Sequence, residues 1–387
     1  METRARPQAD YDPSPIPFDT LGLDPSLLEG IKVRGFEQTT PIQSAVIPFA
    51  LKGEDVIGCA DTGTGKTAAF LLPILHRMIK AREANPDDRG YTRVLILAPT
   101  RELCVQIEDD VQGFTYHTNL TSVAVYGGVE MGPQEFALKS GVDIVVATPG
   151  RLMDHQRHHK TVDFSRLEVF VLDEADRMMD MGFWPDVQRI SATLPPADKR
   201  QTLLFSATMP EEVMKFVDEM VRDPKYVQIG SAGGPKSITH AIENVPSAQK
   251  TEWLARFLRR TDGPVLVFMR TKQGAERLAR RLSTMGIRAT SLHADRTQQQ
   301  RSQAIEGFRS GTYPVLVATD VAARGLDIDG ITHVVNYEVP TSREMYVHRV
   351  GRTGRATLTG TALTLVSPEE LRALEALQRS FGPELRG

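Results

Sequence analysis

Short, nearly uninterrupted apolar runs recur along this chain, and many of them stop abruptly at a compact polar cluster. In the first part they are VIGC from Val56, VLILA from Val94, SVAVY from Ser122, DIVVA from Asp143, VFVL from Val169 and TLLF from Thr202. In the second part they are VLVF from Val265, ATSL from Ala289, VLVA from Val315, HVVN from His333 and TALTLV from Thr361. A strand covered by helices on both faces reads as such a run, and alternation with helical patterns predicts mostly parallel α/β sheets. One helix is legible at Ala275–Met285, where Ala275, Leu278, Ala279 and Leu282 share a face and Gly286 is placed to end it. Its Arg277, Arg280 and Arg281 read as a solvated face.

The 387 residues are enough for two cores. Gly230-Ser-Ala-Gly-Gly-Pro235 follows the strand-like YVQI and predicts a flexible linker at 230–239. That places one lobe at 18–229 and another at 240–387. The Pro-, Asp- and Arg-rich residues 1–17 are expected to be disordered. The net charge of −3 hides an asymmetry: residues 233–387 carry 22 Lys+Arg against 15 Asp+Glu, and residues 1–232 carry 24 against 34. Near-neutrality therefore does not exclude a nucleic-acid partner, because the second lobe is basic. No apolar run approaches the ~18 residues of a membrane span, and the N-terminus has no apolar signal segment. Cys59 and Cys104 are too few for a disulfide framework; they read as buried packing residues in a reducing, cytoplasmic setting.

In open α/β sheets, ligands gather outside the carboxyl ends of the strands. VIGC runs into Ala60-Asp-Thr-Gly-Thr-Gly-Lys-Thr67, a phosphate-binding loop in which the backbone of Thr62, Gly63, Thr64 and Gly65 turns inward. Lys66 would bridge β- and γ-phosphates and Thr67 would ligate Mg²⁺, although Ala60 stands where the strict pattern has glycine. VFVL runs into Asp173-Glu174, which predicts a metal-holding carboxylate followed by a base for the attacking water. Positive charge for the transferring phosphoryl group is expected from Arg352 and Arg355 in His348-Arg-Val-Gly-Arg-Thr-Gly-Arg355. These lie in the other lobe, so the site would be complete only when the lobes close. His155, His158 and His159 have helical spacing but no nearby Cys or acidic cluster to complete a zinc site, and they read as a surface loop or helix.

These residues together resemble the DEAD-box RNA helicases of superfamily 2. The resemblance runs from about Phe18 to about Val366, as a minimal core, and includes the tetrapeptide Asp173-Glu-Ala-Asp176. It implies two tandem RecA-like parallel-sheet lobes joined by a flexible linker, with ATP and Mg²⁺ as ligands. It also implies RNA as partner, single-stranded or a short duplex, with weak sequence preference. Gln43, in Gly35-Phe36-Glu-Gln-Thr-Thr-Pro-Ile-Gln43, would bond the adenine edge and Phe18 would stack on its ring, with Phe36 packed in the core. Asp327 would take the ribose. Pro99, Thr100 and Arg101, then Gly127-Gly128, then Thr148, Pro149 and Arg151 would grip the RNA backbone from lobe one. Arg270, Thr271, Thr319 and Arg324 would do so from lobe two. Ser206 and Thr208 would couple hydrolysis to strand separation through hydrogen bonds with Asp176, while His293, Gln298, Arg301 and His348 would link the lobes around the nucleotide. Two departures stand out. Thr39 replaces the first proline of the usual Pro-Thr-Pro-Ile-Gln, which implies a looser adenine contact, and Ala294 replaces a usual glycine. Two other readings stay open: a DNA-translocating relative, which lacks the Gln43 segment and the tetrapeptide, and a non-enzymatic RNA clamp, against which intact Lys66, Glu174, Arg352 and Arg355 argue.

Overall fold

Successive strand residues point to opposite faces of a sheet, so a run that is apolar at every position needs cover on both. The structure, a computed structural model, describes residues 8–60, 63–159, 161–209, 211–229, 238–323, 330–353 and 360–381. Its first unit, Met1–Gly230, contains β1 (Val56–Cys59), β2 (Val94–Leu97), β3 (Ser122–Val125), β4 (Ile144–Ala147), β5 (Val169–Leu172), β6 (Gln201–Ser206) and β7 (Lys225–Gln228). They form one sheet in the order β3-β4-β2-β5-β6-β1-β7, every neighbouring pair parallel. Val94, Ile96, Val169 and Val171 enter the core on one face; Leu95, Leu97, Phe170 and Leu172 enter a second core on the other.

The second unit, Ser231–Gly387, repeats the plan with β8 (Ile238–Asn244), β9 (Val265–Met269), β10 (Ala289–Leu292), β11 (Val315–Thr319), β12 (His333–Asn336) and β13 (Gly360–Val366). Their order is β10-β11-β9-β12-β13-β8, again all parallel. Val265 and Val267 face one core, Leu266 and Phe268 the other. The helix predicted at Ala275–Met285 spans Lys272–Thr284. It starts three residues earlier because the Thr271 hydroxyl accepts the Gly274 N–H at 3.0 Å and caps it. Arg277, Arg280 and Arg281 are exposed, and Cys59 and Cys104 are buried, as expected.

In the first unit, α1 (Pro25–Val33), α2 (Pro41–Leu51), α3 (Lys66–Ala84), α4 (Arg101–Phe114), α5 (Gly132–Ser140), α6 (Pro149–Asp154) and α7 (Ala175–Asp180) surround the sheet. Register sets their starting points. Cys59 lies opposite Ser206 and Leu97 opposite Leu172, so the segments after β1, β2, β5 and β6 leave one edge at nearly one level.

Two expectations need correction. The N-terminal extension is ordered from Ala9: its N–H donates to the Tyr226 carbonyl at 2.9 Å, the Tyr11 hydroxyl donates to the Gln228 carbonyl at 2.7 Å, and Pro17 bridges to Gln38. β7 is an edge strand, and an extended Pro-rich segment can satisfy backbone groups that would otherwise face water. The linker is also shorter than 230–239, since β8 begins at Ile238, paired with Gly360; residues 230–237 lie outside the described residues. β8 escapes sequence reading because it is an edge strand whose residues after Ile238 are exposed or only half-buried. Among the described residues no helix is long and apolar enough to cross a membrane.

Gly58 sits opposite Phe205, and a Cβ there would approach the Phe205 ring to 2.7 Å. We expect Gly58→Ala to cost about 1–3 kcal/mol of stability by overpacking, measured by urea unfolding. An unchanged midpoint would show that the strand can shift at no cost.

Candidate functional site

The loop after β1 is held from outside by the first turn of α2. Gln43 Nε2 donates to the Gly65 carbonyl at 3.1 Å and Gln43 Oε1 accepts the Thr40 N–H at 2.9 Å. The Thr40 hydroxyl donates to the Thr64 carbonyl at 2.7 Å. Gly65 has φ +89°, and a Cβ there would overlap the Gln43 amide, so both the left-handed turn and the close approach require glycine. Lys66 opens α3, is 7% exposed, and donates from Nζ to the Ala60 carbonyl at 2.7 Å. Thr67 follows on the same helical turn, half-buried.

Two strands away, β5 ends in Asp173 and Glu174, both buried. Glu174 has φ 54° and ψ 52°, a left-handed conformation that costs a non-glycine residue roughly 1–2 kcal/mol. Its carboxylate pairs with the buried Arg177 guanidinium. Asp173 has weaker compensation, since its Oδ1 accepts the Glu174 N–H at 2.9 Å. Burial, then the neighbouring Glu174 charge, raise its pKa from the ordinary 3.8 to about 7, with Lys66 pulling the other way. Asp176, in the first turn of α7, joins this segment to the end of β6. Its Oδ2 accepts the Thr208 N–H and hydroxyl, each at 2.9 Å, and its N–H donates to Ser206 Oγ at 3.2 Å.

Further along the same edge, Thr100 caps α4, accepting the Leu103 N–H at 3.3 Å, and follows Pro99. Gly128 has φ +86°, and the Arg101 guanidinium occupies the place a Cβ would take. Arg151 Nη2 donates to the Val129 carbonyl at 2.9 Å. The structure therefore gathers Arg101, Gly127-Gly128 and Arg151, with Thr148 and Pro149 starting α6 beside them.

The two aromatic rings reverse their expected burial. Phe18 is 4% exposed, whereas Phe36 is 41% exposed and lies against Phe18 and Phe114 with ring centroids 6.4 and 6.1 Å apart. Phe36 follows the end of α1, so it caps the surface of that packing rather than entering it. A cavity of about 360 Å³ opens between Pro17-Phe18 on one side and Gly35-Phe36 on the other. His155 also differs from expectation: it begins a single π turn, is fully buried, and lies 3.1 Å from the Thr161 hydroxyl. No cluster of three metal-ligating side chains occurs among the described residues.

In the second unit the Arg270 N–H donates to Glu338 at 2.6 Å, and its side chain is 54% exposed. Thr271 is the cap already described, and Thr319 ends β11. Gln298 opens a helix; within it Arg301 donates from Nη1 to the His293 carbonyl at 3.4 Å. His293 Nε2 lies 3.1 Å from Glu276. Burial would raise the Glu276 pKa, but hydrogen bonds from Ser291, His293 and Arg296 bring it down to about 2. His348 lies on the helix Arg343–Val350, and Arg352 just beyond it donates from Nε to the His348 carbonyl at 3.4 Å. Thr62, Arg324, Asp327 and Arg355 lie outside the described residues.

Sequence reasoning missed Arg349 and Arg177. Arg349 is 2% exposed and bonds Asp320 at 2.5 and 2.8 Å, Asn336 at 3.0 Å and the Glu338 carbonyl at 3.1 Å. It stands in the arginine-rich segment already singled out, but only the pairing with Asp320 distinguishes it from its neighbours.

A carboxylate whose pKa is raised by folding holds its proton more tightly in the folded state, so stability falls as pH rises through the window from about 4 to about 7. We expect Asp173→Asn to flatten that decline in the protein free of nucleotide and metal, measured by denaturation across this range. An identical pH profile in the variant would contradict the assigned environment.

The DEAD/DEAH box helicase family matches residues 40–216 and the helicase conserved C-terminal domain matches residues 249–357. The ATP-dependent RNA helicase CshA of Listeria monocytogenes is 41% identical over 370 residues, covering 94% of this chain and 68% of the relative. DEAD-box ATP-dependent RNA helicases 40 and 30 of Arabidopsis thaliana are 42% and 44% identical over 97% and 92% of this chain, which spans only 35% and 60% of their length. Among solved structures, S. cerevisiae Dbp5 bound to RNA and ADP BeF3 matches with a TM-score of 0.84 at 32% identity, over 95% of this chain and 93% of that one. Mss116p bound to ssRNA and AMP-PNP gives 0.86 at 28% identity, over 97% and 79%. With its loop, its Asp173–Asp176 tetrapeptide and its two parallel sheets all in place, this chain belongs to the DEAD-box RNA helicase family.

Proposed function

We propose that the chain is an RNA-dependent ATPase that uses ATP to clamp RNA and open short duplexes or remodel RNA–protein complexes. The observation that carries this reading is the stitched edge of the first sheet, where the phosphate loop, Asp173-Glu174 and the Asp176–Thr208 bonds sit at neighbouring strand ends. The relatives Dbp5 and Mss116p, each bound to RNA with ADP BeF3 or AMP-PNP, support the ligand pair. Residues 18–229 would form the ATP-binding lobe, residues up to 237 the linker and residues 238–387 the C-terminal lobe.

ATP phosphates would enter the loop at Thr62–Thr67, and Lys66 would exchange the Ala60 carbonyl for them. The adenine would stack on Phe36, which is 41% exposed, with Phe18 packed beside that ring and Gln43 at the base edge; Asp327 would hold the ribose. The residues fit a divalent cation: Asp173 is buried with an incompletely balanced charge, the Thr67 hydroxyl is on the first turn of α3, and phosphates and water would complete a Mg²⁺ shell. Mg²⁺ would supply neutralisation of phosphate charge. Glu174 would take the proton of the attacking water, held in place by Arg177. Arg352 and Arg355 would complete the charge around the γ-phosphate from the second lobe.

RNA phosphates would meet Pro99, Thr100, Arg101, Gly128, Thr148, Pro149 and Arg151 in one lobe, and Arg270, Thr271, Thr319 and Arg324 in the other. Such contacts carry little sequence information. Gln298, Arg301 and His348 would tie lobe two to the nucleotide, and Asp176, Ser206 and Thr208 would pass hydrolysis to the RNA side. With base stacking at ~1.4 kcal/mol per step, a binding cycle of several kcal/mol opens only a few pairs. Cys59 and Cys104, both buried and not joined in a disulfide, suit a reducing, cytoplasmic setting.

ATPase rates with RNA and with matched single-stranded DNA test the reading: we expect strong stimulation by RNA only, and equal stimulation by DNA would overturn it. Glu174→Gln should keep ATP and RNA binding while turnover falls by about 10²-fold or more. Wild-type turnover in that variant would remove Glu174 from its role.

A further inference from the structure

Thr39, the residue that departs from the family's usual proline, is 3% exposed and makes a set of bonds that proline could not make. Its N–H donates to the Ile16 carbonyl at 2.9 Å, and the Ile16 N–H donates back to its hydroxyl at 2.9 Å. That hydroxyl lies 3.2 Å from the Ile16 carbonyl and 2.6 Å from the Ser44 hydroxyl. Next to it, Pro17 and Gln38 form an isolated antiparallel bridge. Two segments distant in sequence are thereby fastened. One, Ile16–Phe18, carries the ring that backs Phe36; the other, the first turn of α2, carries Gln43 and Thr40, which hold the phosphate loop. Pro17, adjoining the clasp, also borders the 360 Å³ cavity that lies between Phe18 and Phe36.

We propose that Thr39 is a positioning residue for nucleobase selection: its clasp fixes the separation between the Phe36 ring and the Gln43 amide, so that only an adenine nucleotide meets both. A base is read by stacking on its face together with hydrogen bonds to its edge, so freedom between the two elements weakens the discrimination before it weakens phosphate binding. The expected looseness from losing proline is thus countered, with hydrogen bonds taking the place of ring stiffness. This proposal rests on the adenine reading given above.

The test is RNA-stimulated hydrolysis of ATP and GTP by the full chain carrying Thr39→Val, Thr39→Ser or Gln43→Ala. Thr39→Val keeps the N–H and the shape but removes the hydroxyl. We expect it to raise KM for ATP by about 3- to 10-fold, the effect of one or two buried hydrogen bonds, with kcat within about 2-fold and KM for GTP unchanged. Thr39→Ser, which restores the hydroxyl, should recover the ATP preference. A purely structural role would instead lower the melting temperature and reduce activity with both nucleotides alike, and that result would overturn the proposal. If Gln43→Ala loses the preference while Thr39→Val keeps it, the clasp proposal fails alone. If Gln43→Ala keeps it, the adenine reading fails and the proposal with it.

Discussion

The strand-end edge of the first unit is organised around two carboxylates that β5 delivers into a place shielded from water. Glu174 is matched by Arg177, at the expense of a left-handed backbone. Asp173 accepts the Glu174 N–H and feels the charges of Lys66 and Arg177, yet burial and the Glu174 charge push it toward neutrality. Lys66, meanwhile, donates to a neutral carbonyl rather than to a carboxylate. Glu276 in the second unit shows the alternative, since three donors hold it ionised down to about pH 2. A buried carboxylate left short of positive charge is poised for a ligand that supplies it.

The surrounding bonds tie that centre to both flanks of the edge. On one side, Gln43 and Thr40 fix the phosphate loop, and through the Thr39 clasp they reach the Phe18–Phe36 pair. On the other, Asp176 bonds Thr208 and Ser206 at the end of β6. Short chains of hydrogen bonds thus connect the loop after β1 to the segment before α2, and Asp176 to the end of β6. In the second unit, Arg349 plays a comparable part, joining Asp320, next to Thr319 at the end of β11, to the helix that precedes Arg352.

The strands, their parallel arrangement and the loop were legible because a strand buried on both faces leaves an unmistakable apolar run, and because backbone phosphate binding demands glycines at fixed places. β8 was not legible: as an edge strand it exposes most of its residues. The extension before Phe18 reads as disordered by composition, yet Tyr11 and Ala9 find partners on β7 that only the fold creates. The burial of Phe18 and exposure of Phe36 depend on where α1 ends, which the pattern alone does not fix. Thr39 read as a loosening substitution because its partner, Ile16, lies 23 residues away. Arg177 and Arg349 were hidden for the same reason, their meaning lying in buried partners rather than in spacing.

If the units act as one ATP-gated grip on RNA, each ligand must tighten the other's binding by the same factor, typically 5- to 150-fold. The most direct test is the affinity for single-stranded RNA measured with and without a saturating non-hydrolysable ATP analogue, paired with the reciprocal titration of the analogue with and without RNA. The account requires matched tightening in both directions. Equal RNA affinity with and without the analogue would contradict it, whatever the rate of ATP hydrolysis.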